Sequence, residues 1–167
     1  MHLFHKSNND KKNDASAPAA TPAEETLLLI NRGDEEFALH HFTQAIALYE
    51  QALRVYAETG DPFDLASTLG RLGNALAAIG HQPKAKQYYE QALQYSQSID
   101  ADQITCAILG NLGLVARQSG DLGAARNYFL QALDYARELS DTSVLRFTLN
   151  NIANTLLEQG NYELYCP

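Results

Sequence analysis

Apolar residues recur every three to four positions along most of this chain, and the pattern itself recurs every 40 residues. Leu65, Leu69, Leu72, Leu76 and Ile79 fall on one face of a helix, and Ala85, Tyr89, Ala92 and Ile99 do the same after Gly80. Between the two runs, Gly80-His81-Gln82-Pro83 is a helix stop followed by a start. The unit is therefore predicted to be an antiparallel helix pair. Leu69–Leu93 maps forward by 40 onto Leu109–Leu133 and back by 40 onto Leu29–Leu53, and a fourth copy begins at Leu149.

Small and large residues alternate at fixed places in the repeat. Gly33, Gly73, Gly113 and Ala153 share one position, and Ala45, Ala85 and Ala125 share a second. Tyr49, Tyr89 and Phe129 share a third, and Ala52, Ala92 and Ala132 a fourth. The small residues let two helix backbones approach, and the aromatic fills the space beside them. One such pair cannot bury its apolar face alone, so neighbours must stack. Seven helices are expected: one starting near Ala23, then about 42–57, 62–79, 83–98, 102–119 and 122–139, and a seventh capped by Asp141 and reaching about Gln159, with Asp61 as the N-cap of the third.

Leu-x-x-Leu-Gly, a Gly seven residues on, then Ala, Tyr or Phe, and Ala-Leu is an arrangement that resembles the tetratricopeptide repeat. With its 40-residue period the chain is similar to the longer-helix variety, found in kinesin light chains and in repeats attached to bacterial signal-sensing regulators. Thr148-Leu149-Asn150-Asn151-Ile152-Ala153 is especially close to the former. The resemblance runs from about Glu24 to Glu163 and implies an all-α, right-handed α-α superhelical solenoid of about three and a half helix pairs. The repeats would span about 23–60, 61–100, 101–140 and an incomplete 141–167, within one repeat domain over 23–167. Residues 1–22 lack periodicity and read as a disordered arm.

Charge narrows the partners. The chain carries a net −8; three lysines and two aspartates lie in the arm, leaving nine basic and eighteen acidic residues in the repeats. Phosphate backbones need a basic stripe, so nucleic acid is not expected as a ligand, and a basic partner is favoured. No apolar run is long enough to span a bilayer and no signal-peptide core is evident. Cys106 and Cys166 suggest no disulfide framework, Cys106 reading as a small packed residue. A cytoplasmic location follows.

Both ends depart from the pattern. Arg32 and Glu36 stand where Leu72 and Leu76 stand in the second copy, and His40 replaces the turn glycine Gly80. A first helix has no preceding neighbour, so a polar outer side is the expected end cap, with Arg32 and Glu36 four apart and able to pair. At the other end, Gly160-Asn161-Tyr162-Glu163 opens an eighth helix that Pro167 cuts short. Without it, Ile152 and Leu156 should lose much of their cover. Two readings stand: a truncated piece of a longer array, or an edge covered by a partner or by a second copy in a homodimer.

The candidate chemistry is non-covalent. In arrays of this kind the first helix of each pair lines the concave side. Two residues before the small position lie Asn31, Arg71, Asn111 and Asn151; one residue after it lie Asp34, Asn74, Leu114 and Asn154. Asparagine both donates and accepts, so a row of them at the solenoid's pitch can bond the backbone of an extended peptide, as the resemblance also implies. Arg71 breaks the row and suits a carboxylate, and Arg117 is expected in the same groove. The competing reading is a plain solvated helix face. His41 and His81 lie one repeat apart, too far for one metal ion. Tyr49, Tyr88, Tyr89, Tyr95, Tyr128 and Tyr135 read as packing rather than a stacking platform. No nucleotide loop, catalytic set or cofactor site is apparent. The sequence thus reads as a non-enzymatic adaptor for a peptide or partner helix. The alternatives are a sensor module of a larger signalling protein and a self-associating structural module.

Overall fold

The computed structural model describes residues 21–59 and 61–160, which form seven helices and no strand: α1 (Pro22–Ala38), α2 (Phe42–Thr59), α3 (Pro62–Ala78), α4 (Gln82–Ser98), α5 (Asp102–Gln118), α6 (Leu122–Glu138) and α7 (Thr142–Glu158). Most of residues 1–22, the eighth helix and Cys166 lie outside the described residues. Thr21 and Pro22 do not. Thr21 forms a capping box, accepting from the Glu24 amide at 3.3 Å while the Glu24 carboxylate accepts from the Thr21 amide at 2.8 Å. That bond holds the Glu24 carboxyl below its usual range, and Pro22 becomes the first helical residue.

Asp61 caps α3 by accepting from the Phe63 and Asp64 amides, and Asp141 caps α7 through Ser143 and Val144, as expected. Between the helices of each pair the chain reverses through a left-handed residue. Gly80 and Gly120 supply it with φ of 81°. His40 takes the same conformation at φ 61° despite its side chain.

Glycine–aromatic pairs hold each helix pair together. A methyl group added at Gly33, Gly73 or Gly113 would come within 2.5 Å of the ring of Tyr49, Tyr89 or Phe129 respectively. These rings are 0–2% exposed, and Ala45, Ala85 and Ala125 beside them are fully buried. Only glycine admits the ring so close to the facing backbone.

Each helix packs on the next, and in addition α3 touches α5 and α5 touches α7, whereas the even-numbered helices do not approach each other to that degree. A row whose members crowd together is the inside of a curve. The odd helices therefore line the concave side of the solenoid.

Three expectations need correction. The exposed side of α1 is only partly polar: Arg32 is exposed as expected, but Leu27 and Leu28 are 56% and 58% exposed as well. Glu36 meets His41 Nδ1 at 2.8 Å, across the turn, instead of Arg32. Ile152 and Leu156 keep their cover, at 9% and 7% exposure, because the face they present packs on Phe129 and Leu133 of the preceding α6.

Candidate functional site

The two expected rows meet each other across the gaps between repeats. Tyr49 donates to Asp34 Oδ1 at 2.7 Å, and Arg71 Nε of the next repeat donates to the same carboxylate at 3.0 and 3.2 Å. Arg71 is steadied from its own helix by Ser67. One repeat on, Tyr89 donates to Asn74 Oδ1 at 2.6 Å and Asn111 Nδ2 donates to the same oxygen at 2.9 Å. Each rung thus joins an aromatic, the residue after the small position, and a side chain 37 residues further along.

The third rung is built differently. Phe129 has no hydroxyl and Leu114 no acceptor, so Asn151 is reached instead by Arg117 Nη1 at 3.3 Å. Arg117 Nε also lies 3.9 Å from Glu158, and Asn151 Nδ2 donates to the Phe147 carbonyl at 3.1 Å. Asn151 is accordingly buried. Asn31 and Asn154 stand exposed at the two ends of the row. The structure therefore joins Asp34 with Arg71, Asn74 with Asn111, and Arg117 with Asn151, and leaves Asn31 and Asn154 outside these rungs.

Burial and the Asp34 hydrogen bond push the Tyr49 hydroxyl far above its ordinary pKa, and burial does the same for Tyr89. Both remain neutral donors. Tyr88, Tyr128 and Tyr135 are half-buried, but Tyr95 is 40% exposed, so packing does not account for it. Cys106 is buried and donates to the Ala132 carbonyl at 3.3 Å. Burial and the Asp141 carboxylate push its thiol up, away from the reactive thiolate.

Three depressions adjoin along the concave side. One of about 380 Å³ lies beside Phe37, Asn74 and Leu114; one of about 260 Å³ lies between α3 and α5; and one of about 670 Å³ lies between α5 and α7. Asn111 lines all three. It is half-buried, with one amide hydrogen committed to Asn74 and the rest of its hydrogen-bonding capacity at the junction of the trough. Among the described residues no three His, Cys, Asp or Glu side chains are arranged to hold a metal ion. No described helix is long and apolar enough to cross a membrane.

The sequence profile of the tetratricopeptide repeat matches residues 24–98 and 104–164, most of the chain. The chain belongs to the tetratricopeptide repeat family. No curated protein matches it by sequence. Among solved structures, this tetratricopeptide array is similar to BtubC (BKLC) from P. vanneervenii, with a TM-score of 0.80 and 21% identity over 87% of this chain and 61% of that one. It is similar to the tetratricopeptide domain of Arabidopsis FLU, at 0.67 and 21% over 72% of this chain and all of that one. A Rap protein complexed with Competence and Sporulation Factor matches at 0.76 and 19%, over 86% of this chain and 40% of that one. At these identities the likeness is one of fold. The chain spans about three fifths of BtubC and two fifths of the Rap protein.

Sequence reasoning missed two things. The tyrosine hydroxyls belong to the rungs, and the signal was present: Tyr49 with Asp34, Tyr89 with Asn74 and Phe129 with Leu114 gain and lose polarity together at a spacing of 15. The wide gap between α5 and α7 was also missed.

Proposed function

We propose that this tetratricopeptide array is a protein-interaction adaptor that holds an extended peptide, or one helix of a partner, along its concave trough. It does so by shape and hydrogen bonding, without covalent chemistry or a cofactor, in the cytoplasm. The observation that carries this reading is Asn111, one side chain at the meeting point of three concave depressions. A polar group half-buried there offers hydrogen bonds to a backbone laid over it, while the apolar walls take side chains. A Rap protein of similar fold was solved in complex with Competence and Sporulation Factor, which supports binding of a partner by an array of this kind.

The test is affinity capture with wild-type chain and Asn111→Ala in parallel. A partner recovered by the wild type and reduced at least tenfold by a variant of unchanged helicity supports the trough. Equal recovery by a folded Asn111→Ala removes it. A second reading, self-association through the fourth repeat, is favoured by one observation: Phe147, Leu149 and Leu157 of α7 are 44–50% exposed. Light scattering over a hundredfold range of concentration separates the two, since a constant monomer mass removes the second.

A further inference from the structure

One pair of positions, compared between successive repeats, explains why the trough is wider between α5 and α7 than between α3 and α5. Between α3 and α5 a small residue faces a large one, and a methyl group added at Gly70 would lie 2.8 Å from Ile108 Cδ1. Between α5 and α7 the equivalent residues are Gly110 and Thr148, small facing small. A methyl group at Gly110 would meet only Phe147, at 3.8 Å. The missing isoleucine side chain goes with the larger gap, about 670 Å³ against about 260 Å³. Thr148 puts no hydroxyl into that gap, because its Oγ1 donates to the Val144 carbonyl of its own helix at 2.9 Å.

The walls of this gap are mainly apolar, with Cys106, Ala107, Gly110, Leu139, Val144 and Phe147, and the polar Gln103, Asn111, Ser143 and Thr148 stand among them. Phe147 is 50% exposed although it forms one wall, whereas Ala107 and Ser67 occupy its position in the preceding repeats. The mouth is acidic. Asp141 stands at the gap itself, and a second depression that shares Gln103 and Leu139 with it adds Asp100 and Asp102. Neither depression is lined by lysine or arginine. A mainly apolar hollow beside three carboxylates, on a chain of net charge −8, complements an apolar side chain flanked by cations.

Resting on the trough reading above, we propose that the α5–α7 gap is an anchor pocket for a single large aliphatic side chain of an extended partner peptide, with lysine or arginine beside it. The anchor sits over Gly110 and Thr148 against Phe147. The flanking cations face Asp141, Asp100 and Asp102, and the peptide backbone runs past Asn111.

The probe is a short synthetic peptide with one leucine between lysines, titrated into the full-length, isotope-labelled chain and followed by amide chemical shifts. Shifts at Gly110, Phe147 and Thr148 are expected. Affinity should fall at least tenfold when alanine replaces the leucine, and at least tenfold when glutamates replace the lysines. Thr148→Ile places in the gap the side chain that Ile108 already supplies one repeat earlier, so it should fold as well as the parent and bind the peptide at least tenfold more weakly. Asp141→Asn keeps a good helix cap and should weaken binding several-fold in low salt.

Unchanged affinity in Thr148→Ile overturns the pocket. Shifts at Asn74 and Asn111 without shifts at Gly110 and Phe147 overturn the anchor and leave the trough standing. No binding of the peptide at all also overturns the anchor, while the trough is judged separately by the capture experiment. If Thr148→Ile alone, without peptide, moves signals of residues 1–20, the chain's own amino-terminal segment occupies the gap and the proposal fails.

Discussion

The first two repeats and the last two differ in how they use the same positions. In the first half, tyrosine hydroxyls and Asp34 or Asn74 tie each helix pair to the next through shared oxygens. In the second half, Phe129 and Leu114 meet through apolar contact, the polar tie passes to Arg117 and Asn151, and Gly110 with Thr148 goes with a gap wider than the one between α3 and α5. Backbone geometry hardly changes, since the same glycine–aromatic pair closes all three complete units. A repeat fold fixes where a side chain sits and leaves its chemistry open, so adjacent repeats can serve cohesion and reception separately.

The sharpest way to break this contrast is to remove the aromatic that both halves share. Phe129→Ala is expected to cost ~3–5 kcal/mol, the range for emptying a fully buried aromatic site. Tyr89→Ala should exceed it by no more than about 1 kcal/mol, because losing the hydroxyl forfeits one net hydrogen bond while Asn74 keeps Asn111. Denaturant melts of the two variants at constant m-value check this. A Phe129→Ala cost far below that of Tyr89→Ala would mean that the second half is packed loosely throughout, and that the α5–α7 gap is one symptom of it.

Transplanting the polar tie sharpens the comparison. Leu114→Asn alone should destabilise by about 1–3 kcal/mol, since it puts an amide where an apolar side chain is half-buried. Adding Phe129→Tyr should recover about 1 kcal/mol, read as the coupling term of a double-mutant cycle. The same pair predicts a pH effect. Tyr49 and Tyr89 have hydroxyl pKa values raised in the folded chain, chiefly by burial. The unfolded chain starts to lose tyrosine protons near pH ~10, while the folded chain holds these two. Their contribution is therefore complete below that pH and is lost as pH climbs towards the folded pKa values. Tyr89→Phe should flatten the alkaline fall in stability, and the double variant Leu114→Asn with Phe129→Tyr should steepen it. An identical slope in the parent and both variants would show that other groups govern alkaline unfolding.

The helices, their order and the glycine–aromatic closures were legible because they rest on periodicity and size, which a repeat states several times over. The Asp61 and Asp141 caps were legible for the same reason, each preceding an apolar run. The polar rows were legible, but the bonds between them were not. Asn111 also donates to Asn74, which lies 37 residues back and one helix row across. The gap over Gly110 depends on what two separate helices both lack, so no local window shows it. The outer face of α1 misled because Arg32 and Glu36 suggested a polar cap, while Leu27 and Leu28 share that helix and are exposed.

The smallest expected effect lies in the turns, where the first unit again departs from its successors. His40 holds φ 61° where Gly80 and Gly120 hold 81°. A left-handed conformation costs a residue with a Cβ about 1 kcal/mol relative to glycine. Two terms oppose the gain from His40→Gly. Glycine loses more backbone freedom on folding, and the His40 ring is given up from an edge-on contact with Phe42, 5.6 Å between centroids, which itself meets Phe37 at 5.3 Å. The net expectation is a stabilisation of about 0.5 kcal/mol, read as a small rise in midpoint. His40→Ala keeps the strained backbone and loses the ring, so it should fall below the parent. If His40→Gly also falls below the parent, the aromatic cluster outweighs the backbone term. The first turn is then held by its side chains, unlike the glycine turns that follow it.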